Sequence, residues 1–110
     1  MNWIPLQTES QLEDIQAKSA DRPQLIFKHS TRCSASAVVK GRLERAGKPE
    51  AIDFYYLDLI NYRPVSNKVT DLFRIDHESP QVLLIRDGQC IYDESHLGIT
   101  MADIVDAAAA

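Results

Sequence analysis

The chain has 110 residues, of which 45% are hydrophobic and 25% charged, the proportions of one soluble globular domain. Twelve basic and sixteen acidic side chains give a formal charge of −4, and such a surface repels phosphate, which disfavours binding to nucleic acid or anionic membranes. Two cysteines are too few for a disulfide framework or, without histidines, for a structural zinc site.

Neither a leader nor a membrane segment is expected. The first residues lack a basic and apolar leader pattern, and no apolar run approaches the ~20 residues that span a bilayer. We therefore expect a single cytoplasmic domain over residues 1–110, in which the thiols are mostly reduced.

The first half of the chain predicts two helices and one strand. Thr8 and Gln11 have the spacing of a capping box at the start of a helix over about 9–19. The segment from Gln24 to Lys28, with Leu25, Ile26 and Phe27 at its centre, indicates a short buried strand. From residue 34, apolar side chains at steps of three and four predict a helix to about 46, which ends before Gly47.

The second half predicts three strands and two helices. An aromatic-rich strand over 52–59 precedes a helix over 64–73, and strands over 81–86 and 89–93 flank the turn Asp87-Gly88. Thr100 caps a last helix. The order α-β-α-β-α-β-β-α implies parallel crossovers and an antiparallel terminal hairpin. It predicts an α/β domain in which a mixed four-stranded sheet has helices on both faces.

Cys33 lies between the first predicted strand and the second predicted helix. Ligands and reactive groups collect at the carboxyl ends of parallel strands. The unpaired N–H groups and the dipole of a helix start favour a thiolate, and Arg32, with Lys28 and His29, adds positive charge. Many single cysteines are inert packing residues, but this polar and basic setting favours a reactive nucleophile.

Ser36 makes the motif Cys-x-x-Ser, with no second thiol three residues after Cys33. A mixed disulfide on Cys33 must then be resolved by an external thiol or by Cys90. The Ser36 hydroxyl is a candidate hydrogen-bond donor to the thiolate, or else only a small polar residue of the helix. For Cys90, on the last predicted strand, packing is favoured over a resolving role.

The loop Glu78-Ser79-Pro80-Gln81 precedes the strand over 81–86. Its X-Pro bond is a candidate cis peptide, which would expose the backbone of Ser79 beside Cys33 for pairing with an extended substrate. The alternative is a proline that only starts a strand. His96 is expected at the rim of this site and His29 in support of the cysteine, although either histidine can also lack a role.

Together these features resemble the thioredoxin fold and, more narrowly, the monothiol bacilliredoxin family of general-stress proteins. The resemblance rests on four blocks and extends from about residue 3 to 105: Lys28–Cys33, Glu78–Val82, Asp87-Gly88 and Ser95–Thr100. It implies a redox enzyme that removes bacillithiol from S-thiolated cytosolic proteins. Cys33 takes the place of the nucleophile and Pro80 that of the cis-proline, no cofactor or metal is bound, and a reductase or a further thiol regenerates the cysteine.

One departure from the family pattern and three other interpretations of the function remain to be weighed. The family commonly has proline directly after the cysteine, where this chain has Ser34, which leaves the exchanged thiol in doubt. A glutathione-linked monothiol glutaredoxin is disfavoured because Gly-Phe-Ser does not follow Cys33 and no Gly-Gly pair follows the last strand. A non-catalytic adaptor would hold a peptide at Ser79-Pro80. A metal site built from Cys33, His29 and His96 lacks motif spacing.

Overall fold

The fold is built on one five-stranded sheet, and the computed structural model describes all residues from 1 to 110. The spatial strand order is β1-β3-β2-β4-β5. The elements along the chain are β1 (Ile4–Pro5), α1 (Ser10–Lys18), β2 (Gln24–His29), α2 (Ser34–Ala46), β3 (Asp53–Asp58), α3 (Arg63–Phe73), β4 (Gln81–Arg86), β5 (Gln89–Ser95), a 3₁₀ turn (His96–Gly98) and α4 (Met101–Ala109).

The predicted α/β architecture is confirmed, but the strand number was wrong by one. Strand β1 adds a fifth member to the sheet by pairing in parallel with β3, with Ile4 opposite Tyr55. A two-residue strand is too short to show alternation, and Pro5 within it is a signal against a strand. It forms because the edge of β3 offers unpaired backbone groups, so no local pattern in the sequence indicates it.

Helices cover both faces of the sheet. α1 and α3 pack on one face around Ile26 and Leu57, whereas α2 and α4 pack on the other around Phe27 and Phe54. The reciprocal hydrogen bonds predicted at the start of α1 are present, although the N-cap residue is Glu9: Gln11 N–H donates to Thr8 Oγ1 (3.4 Å) while Thr8 N–H donates to Gln11 Oε1 (3.0 Å). No helix combines the length and the apolar character needed to cross a bilayer.

The strand directions bring two loops to one edge of the sheet. β1, β3 and β2 are parallel, so their carboxyl ends share this edge. β4 is antiparallel to β2, with Lys28 opposite Gln81, so β4 begins where β2 ends. The loop from β2 to α2 and the segment that precedes β4 therefore lie side by side, and these are the two segments for which the sequence predicted a site.

Candidate active site

Cys33 is the N-cap residue of α2, with an extended backbone (φ −112°, ψ 118°). Its carbonyl accepts a hydrogen bond from Ala37 N–H (3.2 Å), and its own N–H donates to Ser30 O (3.2 Å). The side chain is partly exposed and forms no disulfide. Because the first turn of α2 contains no acidic residue, no side-chain charge offsets the positive end of the helix dipole at the sulfur.

Pro80 lies at the same edge of the sheet as Cys33. The β2–β4 register pairs Lys28 with Gln81, which places Pro80 level with the last residue of β2. The Ser79–Pro80 peptide bond is cis. The backbone N–H and C=O of Ser79 take part in no hydrogen bond within the chain, so both groups remain available to a partner. The structure thus offers a free backbone donor and a free backbone acceptor on Ser79, together called the free peptide group of Ser79, beside the cysteine loop.

His96 lies next to Pro80, on the side away from β2. Its backbone N–H donates to Pro80 O (2.8 Å). Its ring Nε2 lies 3.0 Å from Glu78 Oε2, and both side chains are more than half exposed. The imidazole is therefore engaged by a surface carboxylate at the rim of the site. An exposed pair of this kind contributes little to stability.

Ser36 does not serve the sulfur in the way that the sequence suggested. Its side chain is fully buried, and its Oγ lies 2.7 Å from His29 Nδ1 and accepts from Ser30 N–H at 3.1 Å. We assign the hydroxyl as the donor to Nδ1, because its oxygen already accepts from Ser30 N–H and its single proton is then directed at the ring; His29 is accordingly the tautomer that has its proton on Nε2. The hydroxyl thus fixes the loop that leads to Cys33 instead of hydrogen bonding to the thiolate.

His29 is also placed differently from the expectation that it adds positive charge. Only 6% of the residue is exposed, and its ring packs against Tyr56 with the centroids 5.3 Å apart. Burial and then the charge of Lys40 lower the pKa of His29 below its usual 6.5, although Asp58 and Glu44 oppose this. The imidazole is therefore neutral at pH 7, and its Nδ1 is hydrogen bonded to Ser36.

The remaining predicted cations divide into one exposed and one buried side chain. Arg32 is exposed beside Cys33, and its guanidinium forms no ion pair. The backbone N–H of Arg32 donates to Ser30 Oγ (3.3 Å). Lys28 is fully buried on the α3 side of the sheet. Only the charge of Arg32 is thus presented to solvent in the cysteine loop.

Cys90 is too far from Cys33 to form a disulfide with it. Cys90 pairs with Ile85 on β4, four residues from the end of β4 that borders the site, or about 13 Å at ~3.3 Å per residue. A disulfide requires Cα atoms within about 7 Å. Burial raises the pKa of Cys90 to about 11, even though its thiol donates to Tyr92 O (3.3 Å). The packing role is the one that the structure favours.

The surroundings of Cys33 are open. None of the four surface cavities is lined by Cys33, and no three His, Cys, Asp or Glu side chains converge as metal ligands. The proposed trio of Cys33, His29 and His96 is therefore not assembled, since His29 points into the core and His96 towards Glu78.

Similarity to solved structures defines the class. A thioredoxin-fold structure assigned to the oxidoreductases is 25% identical to this chain, with a TM-score of 0.78 over 94% of this chain and 91% of that one. Two thioredoxins show the fold alone: the Fasciola hepatica protein (15% identity, TM-score 0.76, 96% of each chain) and the Malassezia sympodialis protein (14%, 0.75, 98% of this chain and 89% of that one). The chain has a thioredoxin-like oxidoreductase fold.

The family is narrower than this class. The family model for the monothiol bacilliredoxin BrxC matches residues 4–104. The chain belongs to this family, which confirms the resemblance seen in its cysteine and proline blocks.

Proposed function

We propose that this protein is a monothiol thiol–disulfide oxidoreductase that removes bacillithiol from S-thiolated cytosolic proteins through Cys33. The observation that supports this most directly is the position of Cys33: a partly exposed sulfur at the N-cap of α2, at the sheet edge that also holds the free peptide group of Ser79. Only a thiolate that solvent can reach exchanges with disulfides at useful rates.

The thiol–disulfide exchange occurs in two steps. The Cys33 thiolate attacks the bacillithiol sulfur of the modified protein, a new S–S bond forms at Cys33, and the target cysteine leaves as a thiolate that takes a proton from water. A second thiolate then attacks the bacillithiol sulfur on Cys33. This step forms a disulfide outside the protein and returns Cys33 as a thiolate. A reductase consumes that external disulfide.

The shape of the site suits a protein substrate. Cys33 lies outside every cavity, so a small molecule finds no enclosed pocket there. An extended segment of the target can pair with Ser79 N–H and C=O as an added strand would. Val38 in α2 and Leu97 in the 3₁₀ turn are half exposed, and Arg42 links these two elements by donating to Leu97 O (2.8 Å). They offer exposed apolar surface on α2 and on the 3₁₀ turn that follows β5.

The test is intact-mass analysis after incubation with a bacillithiolated protein, with a glutathionylated protein offered in parallel. We expect a bacillithiol adduct on Cys33, its absence in Cys33→Ser, and its retention in Cys90→Ala. A faster reaction with the glutathionylated substrate would favour a glutaredoxin-type function. An unmodified Cys33, together with partner binding that survives in Cys33→Ser, would favour a non-catalytic adaptor.

A further inference from the structure

Lys28 is a buried cation without a carboxylate partner. Its side chain is 0% exposed, and none of the ion pairs in the chain includes it. Its Nζ donates to Thr70 Oγ1 (3.2 Å) and to His77 Nδ1 (3.3 Å). Burial, followed by the charge of Arg63, lowers the pKa of Lys28 to about 8. The protein therefore retains an ammonium group where burial disfavours one.

An apolar side chain would be less costly at this position. Replacing buried ionic groups by apolar residues of similar volume is commonly neutral or stabilising. Two further polar atoms on this side of the sheet, Ser66 Oγ and Gln81 Oε1, are buried and have no hydrogen-bond partner. Ser66 lies one helical turn before Thr70, and Gln81 is the cross-strand neighbour of Lys28. A polar interior that stability alone does not explain is a mark of a functional constraint.

The bond from Lys28 reaches the segment that contains the cis-proline. His77 is exposed and lies three residues before Pro80. Burial and the charges of Lys28 and Arg63 lower the pKa of His77, against the opposing charge of Glu78, so its ring is neutral at pH 7 and accepts at Nδ1. Gln81 Nε2 donates to Asp76 O (2.9 Å). The Gln81–Asp76 hydrogen bond thus joins the two ends of the 76–81 segment, and the Lys28–His77 hydrogen bond connects this segment to β2.

We propose that Lys28 is a positioning residue for the exchange reaction: through His77 it holds the 76–81 segment, and with it the free peptide group of Ser79, in register with Cys33. The proposal rests on the proposed function, because it concerns how the same site receives its substrate. Lys28 lies on the strand that leads to the Cys33 loop, and His77 lies on the segment that contains Ser79. Their hydrogen bond is therefore a direct link between the two halves of the site.

The decisive variants are Lys28→Met and His77→Leu, with Lys68→Met as the matched control, because Lys68 is an exposed lysine of α3 with no ion pair. With a bacillithiolated protein as substrate, we expect KM to rise about tenfold in both variants, the factor typical of one charge-assisted hydrogen bond. We expect kcat within about twofold of wild type. The melting temperature of Lys28→Met should be unchanged or higher, which a purely structural role would not produce.

Hydrogen exchange of the 76–81 segment tests the link without any substrate. Exchange should be faster in Lys28→Met and His77→Leu, unchanged in Lys68→Met, and restored in His77→Gln, whose amide oxygen can accept from the ammonium. Wild-type KM and wild-type exchange in His77→Leu would overturn the proposal, and this exposed site decides the matter if Lys28→Met does not fold. A wild-type protein that forms no Cys33 adduct would overturn the proposed function instead. Amide hydrogen exchange would still show whether the Lys28–His77 hydrogen bond holds the 76–81 segment.

Discussion

Replacing Ser36 with alanine should destabilise the protein and leave the reactivity of Cys33 nearly unchanged. The substitution removes the hydroxyl that bonds to His29 Nδ1 and to Ser30 N–H. An unpaired buried polar group costs about 1–3 kcal/mol. His29 is only 6% exposed and bears the full penalty, whereas the partly buried Ser30 N–H can regain water. With about 2 kcal/mol for His29 and up to about 1 kcal/mol for Ser30, the sum is about 3 kcal/mol.

Urea unfolding measures this loss. With a slope of about 1.5 kcal/mol per molar urea, the midpoint should fall by about 2 M. Fluorescence of the single tryptophan, Trp3, reports the transition because its ring packs on Phe27 at 5.4 Å, and far-UV circular dichroism checks it independently. Ser34→Ala is the matched control, since Ser34 is exposed in the same helical turn.

The same variant separates the two roles considered for Ser36. If the hydroxyl only fixes the loop, folded Ser36→Ala at low temperature should alkylate at Cys33 within about twofold of the wild-type rate. A variant as stable as Ser34→Ala, with a large change in the Cys33 alkylation rate, would refute the reasoning. That result would indicate that the Ser36 hydroxyl donates a hydrogen bond to the Cys33 thiolate.

Three further predictions concern the rest of the molecule. Burial lowers the pKa of His29 from 6.5, so the unfolded chain binds a proton on this imidazole more readily than the folded chain does. The free energy of unfolding should therefore fall as the pH drops from 7 to 5. Urea titrations should show a smaller fall in His29→Gln, and an equal fall would contradict the lowered pKa of His29. Since burial raises the pKa of Cys90 to about 11, iodoacetamide at pH 8 should label Cys33 in the native protein and Cys90 only after unfolding, as read by peptide mass mapping. Thr100→Ala removes the acceptor for Asp103 N–H and should cost about 1 kcal/mol, or about 4 °C in melting temperature; an unchanged melting temperature would show that the cap is dispensable.

The sequence predicts those parts of the fold that have a periodic pattern or strong punctuation. The stripe after Ser34 and the glycine at 47 define α2, and the observed helix matches Ser34–Ala46. The turn at 87–88 defines the β4–β5 hairpin, which runs to Ser95. β1 has no pattern in the sequence that predicts it, because a two-residue strand forms only where the edge of β3 offers backbone groups for pairing.

The sequence indicated where the proposed nucleophile and the cis-proline lie, but not how the residues around them are arranged. The type and position of Cys33 follow from a strand-to-helix turn with polar flanks, and Pro80 follows from its place before a strand. The directions of Ser36 and His29 depend on which face of α2 and β2 is covered, which requires the assembled layers. Lys28 gave a signal in the sequence that was underused: it directly follows the apolar residues Leu25, Ile26 and Phe27 in a strand expected to be buried, and the structure buries all six residues of that strand.

The separation of Cys33 and Cys90 has a kinetic consequence. A neighbouring thiol in the same chain would act at a high effective concentration and would make release of the bound small thiol a first-order event. Here the second sulfur lies about 13 Å further along the sheet. Under the proposed chemistry, regeneration is therefore bimolecular, and its rate rises linearly with the external thiol until another step limits turnover. The cell's own pool of small thiols would then set how long each protein molecule stays occupied.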